Sequence, residues 1–180
     1  MSRERTGRGR PLETWNVRVL MRRGETRQGR WSVPRWEVLA VLPDTEPPDT
    51  FTRRLVHEDE AHHDFEWRGL VVALFRDAAE SYWYNLVGRE PSLFVICRPG
   101  EDIDLEPFAV SANYDEAGAY METDESVFRA PLPTEFGPRL EEFVMTHYRP
   151  EAPRKRRRRN WAAEAADGGS RPAKPRQDDT

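Results

Sequence analysis

Apolar and polar residues alternate through most of Trp15-Asn16-Val17-Arg18-Val19-Leu20-Met21, the period of a strand with one buried face. Gly24 to Gly29 reads as a turn-rich break. Trp36-Glu37-Val38-Leu39-Ala40-Val41-Leu42 is a second strand, closed by Pro43-Asp44, and Pro47-Pro48-Asp49 imposes an extended loop. A short strand is expected over Phe51 to Leu55, ahead of an acidic stretch from His57 to Glu66. The continuous apolar run from Gly69 to Phe75 suits a central strand. Ala78-Ala79-Glu80 favours helix and Tyr82-Trp83-Tyr84 favours strand, so a bend near Asp77 to Ala79 followed by a strand over Ser81 to Val87 is expected. Leu93-Phe94-Val95-Ile96-Cys97 and Phe108-Ala109-Val110 are further strands, and Val127-Phe128-Arg129 a candidate edge strand.

Two helices follow from other signals. Asn113 with Glu116 three residues later fits a capped helix start, and that helix is expected to end near Met121. Phe136, Leu140, Phe143, Val144 and His147 form one stripe at helical spacing, with Pro133 and Pro138 near its start and Pro150 at its end. The fold class is therefore α+β: a mainly antiparallel sheet, able to curl toward a barrel, covered by a C-terminal amphipathic helix. No internal repeat is visible.

Composition sets the domain limits. Of 180 residues, 37 % are hydrophobic, below the roughly 45–50 % usual for globular chains. The deficit sits at the ends, which bury too little apolar surface to offset the entropy of ordering. The expected organisation is a disordered basic tail over 1–13, one domain over 14–149, and a disordered arginine-rich tail over 150–180. No run reaches the roughly 18 apolar residues of a membrane span, and the N-terminus lacks the apolar core of a signal peptide. Cys97 is the one cysteine and so has no internal disulfide partner. These features point to the cytoplasm.

Charge changes the picture most. Residues 1–43 hold ten Arg against four acids, a net of +6; residues 44–130 hold seven Arg against twenty acids, a net of −13; residues 131–180 hold eleven Arg and Lys against eight acids, a net of +3. Only two of the twenty-eight cations are lysine, as GC-rich coding would give, but coding bias does not explain the clustering. The densest element is the unbroken run Arg154, Lys155, Arg156, Arg157, Arg158, Arg159. Such a run can dock onto an acidic protein face, bind nucleic acid through counterion release, or serve as a solubilising tail. The acidic middle of the chain opposes a phosphate backbone, so protein docking is the favoured reading.

Candidate chemistry is sparse. His57, His62 and His63 lie among Glu58, Asp59, Glu60 and Asp64, residue types that hold zinc or a harder ion. Their spacing suits no helical ligand pair, and a solvated acidic loop without metal is the expectation. Tyr82, Trp83 and Tyr84, with Trp15, Trp31, Trp36 and Trp67, are expected in the core rather than as a platform for stacking bases or a flavin. Cys97 sits inside an apolar run and is expected to be an inert buried hydrophobe. No phosphate-cradling glycine loop and no nucleophile elbow occurs. No catalytic residue, cofactor or metal is assigned.

Several segments carry a family likeness: Val17 to Met21 with Trp31, Trp36 and Val41; Arg76, Glu80, Tyr82, Asn85 and Leu86; Pro91 to Arg98; Val110-Ser111 with Tyr114 to Ala117; Ala130 to Pro133; and Phe143-Val144 with His147-Tyr148 leading into the basic run. From Val17 to Trp161 the chain resembles an uncharacterised family of small bacterial proteins, a domain of unknown function. Its members are typically encoded in gene clusters for molybdenum- or tungsten-dependent formate dehydrogenase. Phe75 and Ala78 depart from the His and Glu expected at those places, which weakens the case for an enzyme. The resemblance implies a role in assembly, maturation or partner contact of the dehydrogenase. Arg76, Glu80 and Asn85 form the candidate functional polar cluster, against the plainer reading that they satisfy one another or buried backbone at the bend. The expectation is thus a non-enzymatic accessory protein docking through Arg154–Arg159. The alternatives are a nucleic-acid-binding regulator using that arm, and a metal- or small-molecule-binding module.

Overall fold

Alternation along the first strand sends Trp15, Val17, Val19 and Met21 into the core and Asn16, Arg18, Leu20 and Arg22 to the opposite face. A computed structural model describes residues 9–123 and 125–149. The element order is β1 (Glu13–Gln28), β2 (Trp31–Pro43), β3 (Thr52–Glu58), β4 (His62–Leu74), a 3-10 turn (Arg76–Ala78), α1 (Ala79–Val87), β5 (Ser92–Arg98), β6 (Glu106–Ser111), α2 (Tyr114–Met121), β7 (Ser126–Pro131) and α3 (Gly137–His147). All strand pairings are antiparallel. One sheet runs β2-β1-β4-β3 and the other β6-β5-β7. The class is α+β, but both sheets are open among the described residues, and no barrel closes.

The core lies between the inner faces of the two sheets and under α1 and α3. β1 and β4 supply Trp15, Val17, Val19, Met21, Trp67, Val72 and Leu74, β5 supplies Leu93, Val95 and Cys97, and α3 supplies Leu140, Phe143 and Val144. Trp15 stacks on Phe136 at 4.6 Å, and Tyr82 meets Phe143 edge-on at 5.8 Å, offset geometries that aromatic quadrupoles favour. Phe94 and Ile96 project from the other face of β5 onto Ala117 of α2. Burial on both faces is why β5 reads as an unbroken apolar run. At the start of α2 the Asn113 side chain accepts from the backbone of Asp115 and Glu116, as its capping pattern implies. Glu116 accepts instead from Ser111 Oγ at 2.7 Å.

Three local expectations are corrected. The segment after Asp77 is a helix and not a strand. Ala78, Ser81, Tyr82 and Asn85 are buried at helical spacing, and the Phe75 amide donates to Tyr82 Oη at 3.1 Å. Packing on that stripe overrides the strand preference of the aromatic triplet, leaving Tyr82 in the core with Trp83 and Tyr84 exposed. The break expected over Gly24 to Gly29 is continuous strand: β1 runs on to Gln28 and turns only at Gly29-Arg30. The acidic stretch is a hairpin rather than a solvated loop, because His62 to Glu66 already belongs to β4.

Gly69 has a specific backbone reason. It lies at the irregularity where Val17 pairs with Leu70 but Val19 with Trp67, and its φ is +86°. A Cβ there would meet the Thr50 carbonyl oxygen at 2.9 Å and Phe51 Cα at 3.0 Å. Left-handed strain and a backbone collision combine. Gly69→Ala is expected to destabilise the protein by about 2–4 kcal/mol, read as a lower urea midpoint at unchanged m-value; an unchanged midpoint would show that the bulge relaxes freely.

The outer face of the larger sheet carries a ladder of ion pairs. Arg22 forks onto Asp64 at 2.7 and 2.9 Å, Arg18 and Arg54 flank Glu66 at 3.1 and 3.2 Å, and Arg68 Nε meets Asp44 at 2.9 Å. Asp64 is 7 % and Glu66 9 % exposed; carboxylates this buried need their cations. The hydrogen bond from Arg22 holds the Asp64 carboxyl below its ordinary 3.8, and Arg68 does the same for Asp44. With folded values depressed, their stabilisation is present above the unfolded value and is lost as pH falls through the folded one. The urea midpoint should therefore drop between about pH 5 and pH 2. Asp64→Asn should lower the midpoint at pH 6 and flatten that drop; an equally steep drop in the variant would discount this pair.

Candidate docking surface

The fold undoes the charge sorting of the sequence. β1 comes from the basic N-terminal segment and lies beside β4 from the acidic middle. Arg18, Arg22 and Arg23 are thereby bound to Glu66, Asp64 and Asp104. Asp104 also accepts from Trp36 Nε1 at 2.9 Å. Against the cost of desolvation, its bonds from Trp36 and Arg23 hold its carboxyl below the ordinary range. What remains unpaired sits beyond the core.

The far end of the β1–β2 hairpin is such a place. Every residue from 25 to 35 is exposed. Gly29 takes φ +64°, and glycine at the first position of a two-residue turn is the pattern of type II′ hairpins. Cross-strand pairing of Gln28 with Trp31 and Thr26 with Val33 puts Trp31 and Val33 on one face of the ribbon. Arg27 pairs with Ser32 on the other face, where Ser32 Oγ donates to Glu25 at 2.5 Å. Trp31 is 72 % exposed. Arg27, Arg30 and Arg35 have no ion-pair partner among the described residues. Pro34 lies on edge strand β2, where a missing donor costs no ladder bond. The ribbon thus presents a bare indole and a valine on one face together with Arg35, with Arg30 in the turn beside them and Arg27 on the opposite face. The sequence places Trp31 in the core with the other aromatics, and the structure corrects it: the indole stands on a ribbon that, among the described residues, has no sheet or helix packed over it. Its exposure could not be read, because the ribbon's turn was hidden inside an apparent break.

The sequence-derived candidates fall in different places. Arg154, Lys155, Arg156, Arg157, Arg158 and Arg159 lie outside the described residues. Arg76 is exposed and lines an open groove with Arg10, Leu12, Phe75 and His147. Glu80 is exposed on α1, with its charge close enough to act on the Tyr148 hydroxyl. Desolvation foremost, and then the Glu80 charge, raise the Tyr148 pKa. Asn85 is buried: its amide donates to the carbonyls of Ser92 at 2.7 Å and Ala112 at 2.8 Å and accepts from the Ser92 amide at 3.0 Å. No hydrogen bond or ion pair among the described residues joins any two of Arg76, Glu80 and Asn85. Asn85 ties α1 to β5 and to the start of α2.

Cys97 is fully buried against Met21, and desolvation, with the Glu106 charge adding, pushes its thiol up to about 12. No thiolate is available there near neutral pH. Among the described residues no helix is long and apolar enough to cross a membrane.

Removing the Asn85 side chain leaves two carbonyls and an amide without partners in the interior. Asn85→Ala should cost about 2–4 kcal/mol in urea unfolding, and Asn85→Asp should rescue little, because it cannot donate to either carbonyl. Near-wild-type stability in both variants would make Asn85 dispensable to the fold.

Residues 16–159 match the model of a family described as "Protein of unknown function (DUF3305)", and the chain belongs to that family. The matched span runs through the basic run to Arg159. No curated protein and no solved structure matches the chain.

Proposed function

We propose that this DUF3305 protein is a non-enzymatic accessory factor that docks onto a protein partner through the β1–β2 ribbon. The observation that carries the reading is the exposed face of Trp31 and Val33, with Arg35 on that face, Arg30 in the turn and Arg27 on the reverse of the same ribbon. Bare aromatics and arginines are the residue types that dominate binding energy when an interface closes over them. Cations around an apolar anchor speed encounter with an acidic surface, and the anchor then slows dissociation. Arg154–Arg159 add a second cationic element in the same chain. The partner is accordingly an acidic protein surface holding an apolar slot the width of an indole.

The likeness to proteins encoded beside molybdenum- or tungsten-dependent formate dehydrogenases supports a more specific reading. In it the partner is a subunit or maturation factor of such an enzyme, and the action takes place in the cytoplasm. Nothing in this reading requires chemistry by the protein itself. A nucleic-acid-binding role is the second reading, favoured by the same indole among arginines, since a basic β-ribbon can follow a phosphate backbone and stack a base.

Co-purification of the tagged full chain from cells producing the dehydrogenase tests the first reading. A dehydrogenase subunit or maturation factor is expected in the eluate. Trp31→Ala should weaken its retention at least about tenfold, roughly 1.4 kcal/mol, and Arg27→Glu with Arg30→Glu should slow association and reduce its salt dependence, both without altering the far-UV spectrum. An eluate free of those proteins, with or without residues 150–180, defeats the reading. Retardation of DNA or RNA at low salt that disappears in Trp31→Ala would favour the second.

A further inference from the structure

We propose that the tip of the β3–β4 hairpin binds a divalent transition-metal ion of the zinc class through His57, Asp59 and His62. This site is separate from the docking face and does not rest on it. Three of the chain's four histidines lie in this hairpin, and strand register decides which of them converge. His57 pairs with Asp64 and Glu58 with His63, while the Asp59 amide donates to the His62 carbonyl at 3.0 Å. Period-two alternation then puts His57, His62 and Asp64 on one face and Glu58 and His63 on the other. His63 is engaged there with Glu58 at 2.9 Å.

The donor geometry fits a small ion. His57 Nε2 lies 3.2 Å from one Asp59 carboxylate oxygen and His62 Nδ1 lies 3.2 Å from the other. One donor atom from each of the three residues can be chosen so that all lie within 4.8 Å of one another. Bonds of about 2.0–2.1 Å to a tetrahedral ion place neighbouring donors about 3.3 Å apart. Each observed separation is close to that edge, but the two run to different oxygens of the Asp59 carboxylate. On binding, the carboxylate must therefore turn to share one oxygen or chelate through both, and the imidazoles must close on each other.

The carboxylate is oriented in advance. Asp59 Oδ1 accepts from the amides of Ala61 at 2.8 Å and His62 at 2.9 Å. These two backbone bonds fix the plane and direction of the carboxylate at the turn. Asp64, on the same face, is committed to the Arg22 fork and is not counted as a ligand. Two imidazoles and one carboxylate form a borderline-soft set suited to zinc, cobalt or nickel rather than magnesium or calcium. The remaining coordination positions open to solvent, where water or a partner's side chain completes the shell. His57 and Asp59 are exposed, so the assignment is to binding and not to catalysis.

The test uses the full chain without a histidine tag, stripped with chelator and dialysed. Calorimetric titration with Zn²⁺ should give one ion per chain, and Co²⁺ should develop visible absorption from imidazole coordination. His57→Ala and His62→Ala should each weaken binding at least about tenfold and abolish the cobalt bands. Asp59→Asn, which keeps an acceptor for the turn, should weaken it comparably, and His63→Ala should leave it unchanged. Circular dichroism checks that each variant keeps the wild-type strand signal. The proposal is overturned by the absence of saturable binding to the wild-type chain. It is equally overturned by wild-type affinity in the His57→Ala, His62→Ala double variant, or by a loss in His63→Ala as large as in His57→Ala.

Discussion

The register of β1 against β4 is the constraint on which the rest of this molecule depends. Pairing Trp15 with Val72, Leu20 with Glu66 and Arg22 with Asp64 sets both faces of the larger sheet at once. The inner face receives the apolar side chains of both strands, and the outer face receives arginines opposite carboxylates. A slip of one residue would exchange the two faces. It would drive Arg18 and Arg22 into the core and expose Trp15, Val17 and Val19. Apolar burial and ion pairing therefore specify the same register, and this agreement between levels is what gives a chain one structure. Exposed ion pairs add little to stability. The pairs of Asp64 and Glu66 matter chiefly because a mispaired alternative would leave buried carboxylates without cations.

That register also governs the meaning of charge. In the sequence, a basic start is followed by a strongly acidic middle, which suggests a negative body held between positive ends. In the fold, the basic strand is the neighbour of the acidic one, and much of the opposition is spent internally. Part of what is left over lies where strands leave the sheet, as with Arg27, Arg30 and Arg35 on the β1–β2 ribbon. A count of charges along a segment measures its potential partners; only topology tells which of them lie within the same molecule.

What could be read from the sequence follows the length scale of each signal. β5, α2 and α3 were legible because their signals are local and mutually consistent: a doubly buried apolar run, the Asn113 cap and the Phe136–Val144 stripe. The core roles of Trp15, Tyr82 and Cys97 were legible from their apolar surroundings. α1 was not, although Ala78, Ser81, Tyr82 and Asn85 do repeat at helical spacing. The aromatic triplet outweighed that stripe, and only packing against α3 decides between them. The ribbon was obscured because Gly24 looks like a turn residue, when the turn actually waits for Gly29. Neither candidate site could be found by linear spacing. Trp31 is functional in aspect only once its exposure is known, and His57 meets His62 only across a hairpin. Asn85 was legible as a notable polar residue, but its three backbone partners belong to elements seven and twenty-seven residues away.

The two candidate elements are also neighbours. Gly24 pairs with His62, and a Cβ added to it would lie 3.7 Å from the Ala61 carbonyl oxygen. The β3–β4 turn therefore abuts the point where the β1–β2 ribbon loses its partner strand and continues alone. Isolated two-stranded ribbons are only marginally ordered in water, so the firmness of their base decides how much conformational entropy is lost when the tip is captured. Asp59 stiffens that base by accepting from the two amides that follow it. An ion drawing His57 and His62 onto the same carboxylate would stiffen it further, on the outer face where Arg22 already grips Asp64. Placing adaptable chemistry at the shared end of two hairpins leaves the register of β1 and β4 untouched. The functional end can then vary while the face-defining pairs beneath it stay as they are.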